Sequence, residues 1–399
     1  MDSSMEHAGL GAAERPSTSA TRDTGRTPWA LLGRVLLFAL PFLMLLGGPA
    51  AVLLAAGELM PVRSVVEHQR EHSVLYGPAY TNPDRAYKTT AVRLRAPRLV
   101  ALGSSRVLQL RAEMFAPSAR GSYYNAGRAA GVVWELRPFL AQAPPTLRTI
   151  VLGIDHWWFN PAWSRAAGRT GAGPVPDEPG PATLVHQHWI EVYRGIRSGK
   201  INLRRVLASP AVGLSGIMHD DGFRSDGSYQ YGLTLCERPT PAAAFAESFQ
   251  RIAEGTERFE AGDALDEEAL AELERFLDDA KARGIHVVAF TPPLAPAVLA
   301  RMRKTGRYPY LQRLSTRLDA LLGARRVPFQ DLTDCSTIGC RDEQFLDGFH
   351  ASERVYATLL GALATRDPAL AAQVDPALPA ALARSSDPLR VVSDGIRCR

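Results

Sequence analysis

The chain has little that would let it hold a metal, a nucleotide or a nucleic acid. Its 399 residues include four cysteines and nine histidines, and none of these cluster at the spacing of a zinc site. His186 and His188 lie two apart, which on a helix turns them away from each other, and no further ligand follows at a useful interval. The glycine-rich stretches contain neither a Walker lysine nor a G-x-G-x-x-G after a strand pattern, so a nucleotide phosphate has no cradle. Basic residues outnumber acidic ones by 46 to 41, an excess too small and too dispersed to bind nucleic acid. Asp220-Asp221-Gly222-Phe223-Arg224-Ser225-Asp226 has the acidic look of a calcium loop but lacks the glutamate such a loop needs at its twelfth position. It reads as a turn, and no cofactor or metal is expected.

Charge itself is missing from Val35 to Gly57, a run of 23 residues. At about 1.5 Å per residue it is long enough to cross a hydrocarbon core of roughly 30 Å. Pro41 and the Gly47-Gly48-Pro49 group should kink such a helix, and the run exceeds the apolar region of a cleaved signal peptide. Residues 29–57 are therefore predicted to be an uncleaved transmembrane anchor. Residues 1–28 are polar and rich in Ser, Thr, Gly and Ala, and are expected to be disordered. Arg15, Arg22, Arg26 and Arg34 precede or open the apolar run, against Arg63 and Arg70 beyond it, which predicts a cytoplasmic N-terminus.

Two stretches carry reactive groups. Arg98-Leu-Val-Ala-Leu-Gly103-Ser104-Ser105-Arg106 reads as strand, tight turn and helix, placing a hydroxyl at a strand's carboxyl end, where free N–H groups favour developing negative charge. Serine is also a preferred helix cap, so one or both hydroxyls could serve only that purpose. Far along the chain, Asp347-Gly-Phe-His350 sets a carboxylate three residues before an imidazole, an arrangement suited to a general base and its orienter. Val107 stands where a G-x-S-x-G elbow would have its second glycine, which argues against an α/β-hydrolase fold.

Around these stretches strands alternate with helices. Strands are predicted at 98–103, 121–126, 148–154, 285–291 and 326–331, and helices at 131–142, 267–283, 309–322 and 352–365. The helix at 267–283 has Leu270, Leu273, Phe276 and Leu277 at helical spacing, Asp266 as its cap and Gly284 as its stop. Alternation of this kind implies a parallel sheet covered on both faces. Residues 58–95 read as a polar juxtamembrane linker, 157–262 as an insertion over the strand ends, and 367–399 as a tail. Trp157, Trp158, Phe159, Trp163 and Trp189 form either a stacking surface for a ligand or the insertion's own small core.

Over residues 96–366 the chain resembles the SGNH/GDSL-type hydrolase superfamily, in particular membrane-anchored members related to polysaccharide O-acyltransferases and D-alanyl-transfer proteins. The resemblance implies a three-layer α/β/α, flavodoxin-like domain behind one transmembrane helix. It makes Ser105 the nucleophile, with Ser104 as the rival hydroxyl, His350 the base and Asp347 its orienter. It places Asn125 in the second block, with an oxyanion-binding N–H from Gly127 or Gly131. The third block of the family, Gly-x-Asn-Asp, falls on Gly153-Ile154-Asp155-His156. An ionised Asp155 cannot donate a hydrogen bond, so His156 or backbone N–H groups must take over, while Asp155 points away or is protonated.

The implied activity is a serine esterase or O-acyltransferase acting on an acylated envelope glycan or a small acyl ester. It would sit on the outer side of a bacterial plasma membrane, with a membrane-bound O-acyltransferase as a possible partner. The alternative is an inactive scaffold that binds a glycan or that membrane partner through the same cleft. In such an oxidising compartment Cys335 and Cys340 are expected to form a disulfide bracing the loop before Asp347. Cys236 and Cys398 remain free or pair with each other.

Overall fold

A computed structural model of the chain describes residues 28–166 and 180–392. The expected disordered segment 1–28 and the glycine-rich part of the insertion at 168–174 lie outside the described residues, Pro28 excepted, as does Cys398. Two compact units divide between Gly48 and Pro49. In the first unit the helix that begins at Pro28 carries Trp29, Leu37 and Phe38 largely exposed. The expected single transmembrane helix is corrected: among the described residues no single helix is long and apolar enough to cross a membrane. Two segments, Trp29–Phe42 and Gly47–Ala55, satisfy length and composition only together, as a bent pair. The break between them covers residues 43–46.

The second unit is built on a five-stranded parallel sheet flanked by helices, a three-layer α/β/α arrangement. Its strands are β1 (Leu99–Gly103), β2 (Tyr123–Gly127), β3 (Thr149–Gly153), β6 (His286–Thr291) and β7 (Phe329–Asp331), in the order β2-β1-β3-β6-β7. Between β3 and β6 a small antiparallel hairpin, β4 (Asp221–Phe223) and β5 (Tyr229–Tyr231), forms from the stretch read as a turn. The first three strands and most of β6 are buried along their length, which is why they read as continuous apolar runs. The strand order reverses between β1 and β3, and ligand sites in such sheets lie beyond the carboxyl ends at that reversal.

The long helix Glu267–Ala282 forms as its pattern requires. Asp266 accepts hydrogen bonds from the N–H groups of Glu268 and Ala269 at 3.0 and 3.1 Å. Leu270, Leu273, Phe276 and Leu277 are buried, and Gly284 follows with φ 67°.

Two segments expected to lie outside the domain are part of its core. The linker at 58–95 instead contains the helices Val62–Glu71 and Asp84–Arg95, which bury Val65, Val66, Tyr87 and Val92. The tail is folded as far as it is described. Ala116 donates to the carbonyl of Gln373 at 2.8 Å, Asp375 donates to that of Met114 at 3.0 Å, and Leu370 and Leu378 are buried. Both segments show too few apolar residues in sequence to announce a core, because each buries only one stripe of a short helix. Truncating Leu370 to alanine should therefore cost about 2–5 kcal/mol, read as a lower urea midpoint at unchanged m-value. A loss below about 0.5 kcal/mol, as for an exposed tail residue, would contradict this placement.

Candidate active site

The turn after β1 is seated by close packing. Val107 lies against the strand-end glycines: a Cβ on Gly103 would stand 3.0 Å from a Val107 methyl, and one on Gly153 would collide with it. Only glycine lets the turn sink this far into the sheet. The two hydroxyls then part company. Ser104 is buried, and its Oγ accepts the N–H of Arg106 at 3.2 Å, so it is the cap. Ser105 is only partly buried, and its Oγ lies 2.9 Å from His350 Nε2.

The expected α-helix does not follow. Ser105–Val107 is a three-residue 3-10 turn, because the amide of Asn125 donates to the carbonyls of Val107 and Leu110 at 2.8 and 2.9 Å. A side chain has taken the acceptors a helix would use.

On the other side, Gly348 at φ 77° turns the chain so that Asp347 and His350 face each other. Asp347 Oδ2 lies 2.7 Å from His350 Nδ1, while Oδ1 accepts the N–H groups of Phe349 and His350 at 3.0 and 2.6 Å. Burial raises the Asp347 carboxyl, but the charge and hydrogen bonds of His350 and these backbone donors outweigh it and bring it down to about 2. An ionised Asp347 holds the proton on Nδ1 and leaves the Nε2 lone pair toward Ser105, a tautomer assigned from the hydrogen-bond network.

The residue that joins these parts is Arg106, whose role the sequence did not announce. Its guanidinium is 1% exposed and pairs with Asp155 Oδ1 at 3.4 Å. It also donates to the carbonyls of Phe349, Pro292 and Pro293 at 3.2, 2.8 and 2.5 Å. Asp155 is thus turned to Arg106. Its burial pushes its carboxyl up to about 6, although Arg106, the Ser104 hydroxyl, Arg258 and His350 all pull it down.

Three expectations for the oxyanion are corrected. His156 points into the core, where its Nδ1 meets the Tyr310 hydroxyl at 2.8 Å and burial holds it neutral. The N–H of Gly127 is held by Asn125 Oδ1 at 2.8 Å, and that of Gly131 by Glu135 Oε2 at 2.6 Å. Asn125 itself is fully buried with its amide engaged, a pin for the turn rather than a ligand for substrate. Among the described residues, the N–H of Ser105 makes none of the turn's hydrogen bonds and remains available.

The cysteines also differ from expectation. Cys335 and Cys340 are both free thiols. A hydrogen bond to Cys340, together with burial, pushes the Cys335 thiol up, and the thiol lies 3.6 Å from the carbonyl of Leu294. Cys236 is disulfide-bonded. Of the aromatic group, Trp157, Trp158 and Phe159 belong to the main core, while Trp163 is partly buried against it.

Asp155 has a readable pH signature. Its folded value near 6 lies above its unfolded value of 3.8, so between these values the folded chain holds the proton more tightly. Wild-type stability relative to Asp155→Asn should be greatest below about pH 4 and fall as pH rises through 6, by about 3 kcal/mol in all. Urea titrations of the two proteins from pH 4 to 7 read this difference, and a flat difference would contradict the buried, raised carboxyl.

Comparison of the chain with known protein families, with curated proteins and with solved structures finds no match in any of the three.

Proposed function

We propose that the chain is an SGNH-type serine esterase or O-acyltransferase that takes acetyl-like esters of cell-envelope glycans. The observation that carries this reading is the relay from Ser105 Oγ to His350 Nε2 at 2.9 Å and from His350 Nδ1 to Asp347 Oδ2 at 2.7 Å. It stands beyond the carboxyl ends of a parallel sheet in the flavodoxin-like order.

In this reading Ser105 attacks the acyl carbonyl while His350 takes its proton and then gives it to the departing alcohol. Asp347 stays ionised throughout and steadies the imidazolium. Water or a glycan hydroxyl, activated by the same imidazole, then releases the acyl group from Ser105, giving hydrolysis or transfer. The N–H of Ser105 is the first oxyanion donor, and one such donor is commonly worth about 3 kcal/mol of barrier.

The inactive-scaffold reading draws on one observation, the engagement of the Gly127 and Gly131 N–H groups by side chains. For the cellular setting we propose the outer side of a bacterial plasma membrane, with a membrane-bound O-acyltransferase as partner. The support is the apolar N-terminal pair, whose Trp29, Leu37 and Phe38 are 78%, 72% and 75% exposed. Water disfavours such a surface and a bilayer accommodates it.

A membrane-impermeant fluorophosphonate added to spheroplasts should label the wild type and Ser104→Ala, but neither Ser105→Ala nor His350→Ala. Labelling that survives in Ser105→Ala contradicts the assignment. Labelling of the purified protein but not of spheroplasts would put the domain on the inner side, and no labelling of either would favour the scaffold.

A further inference from the structure

We propose that the guanidinium of Arg258 forms an anion subsite beside Ser105, so that the ester taken here carries a carboxylate or similar negative group close to its carbonyl. The proposal rests on the esterase reading in one respect, that Ser105 and His350 mark where the carbonyl sits.

The first observation is position. The Arg258 guanidinium carbon lies 5.5 Å from the ring centroid of Trp157, 5.9 Å from that of Trp163 and 5.7 Å from that of Phe349. The ring of Phe349 is in turn 5.2 Å from the ring of His350. One aromatic side chain thus separates the cation from the base.

The second observation is that the charge is unspent. Arg106 is paired with Asp155, Arg128 with Asp84, and Arg224 with Glu113. Glu257, adjacent to Arg258 in sequence, turns to Arg251 at 2.9 Å. Among the described residues no carboxylate lies within 4.0 Å of the Arg258 guanidinium, and Asp155 feels it only through space. A guanidinium lying on aromatic faces is held in its plane while the donors on its edge stay open, and that edge fits a carboxylate or phosphate with two parallel hydrogen bonds.

The third observation is the backbone that presents it. Glu257 and Arg258 are consecutive non-glycine residues with φ 48° and 81°, a conformation that L residues adopt at a cost. The segment is clamped on either side: Thr256 donates to the carbonyl of Arg251 at 3.1 Å, Phe259 donates to that of Thr256 at 3.0 Å, and Phe259 is fully buried. The fold thus accepts a strained pair where it sets the Arg258 cation against Trp157, Trp163 and Phe349.

The test is calorimetric binding to the full chain carrying Ser105→Ala, which cannot turn the probes over. Mono-4-nitrophenyl succinate is compared with 4-nitrophenyl butanoate, placing the charge on the acyl side. The pair 2-acetoxybenzoate and phenyl acetate places it on the alcohol side. At least one anionic probe should bind about tenfold or more tightly than its neutral counterpart. That preference should vanish with Arg258→Gln, survive in part with Arg258→Lys, and weaken with added salt. Circular dichroism and the unfolding midpoint check that both variants fold, and the lysine variant carries the comparison where the glutamine one does not. Equal binding of charged and neutral probes, no binding of any probe, or a preference indifferent to Arg258→Gln would overturn the proposal. An Arg258-dependent preference in a chain whose wild type takes no fluorophosphonate would leave the subsite standing and remove the esterase reading instead.

Discussion

The site depends on one buried cation. Arg106 follows the nucleophile directly and reaches three other parts of the chain at once: Asp155 beyond β3, Pro292 and Pro293 beyond β6, and the carbonyl of Phe349 beside His350. Taking a guanidinium out of water is costly unless its donors are met. Here a carboxylate and three carbonyls meet them. Because these partners come from separate strand ends and from the histidine loop, the cation is satisfied only when all of them are in place. The 2.9 Å approach of Ser105 to His350 is thereby coupled to the assembly of the whole sheet edge. The same coupling explains Asp155, which is the counter-charge to Arg106.

A second set of polar contacts fixes the nucleophile turn from the opposite side. Asn125 binds the carbonyls of Val107 and Leu110, and buried Lys88, from a helix that precedes the sheet, donates to the carbonyl of Asn125 at 3.0 Å. Desolvation drives the lysine well below its usual range, and contact with the face of Phe223 at 4.2 Å partly replaces its lost hydration. The hairpin adds its own restraint, since Tyr229 donates to the carbonyl of Leu108 at 3.1 Å. From this side the turn is held by Asn125, by the lysine behind it and by the hairpin, and this is why it can stop after three residues of 3-10 helix without fraying.

Much of this was legible because parallel strands are apolar on both faces and end at glycine. The five strands, the Asp266-capped helix and the pairing of Ser105 with Asp347 and His350 all follow from patterns confined to a few neighbouring residues. What escaped were contacts between residues far apart in sequence. Nothing local distinguishes Arg106 from a surface arginine except its place between a serine and the apolar Val107-Leu108. Nothing local shows that Gly127 and Gly131 spend their N–H groups on Asn125 and Glu135, or that His156 turns inward to Tyr310. The segments 58–95 and 367–392 misled for a related reason: short helices that bury one stripe look polar when read end to end. The apolar run misled in the opposite way, since a composition fit for one span is divided in the structure into two segments with a break at residues 43–46.

The central claim is that Ser105 carries the acyl group. Wild-type chain quenched during reaction with 4-nitrophenyl acetate and digested with trypsin yields one peptide holding both Ser104 and Ser105, and fragmentation assigns any acetyl group to one hydroxyl or the other. The account predicts acetyl on Ser105, absent from His350→Ala quenched at the same time. Acetyl on Ser104, or on neither serine while the ester is consumed, would contradict it.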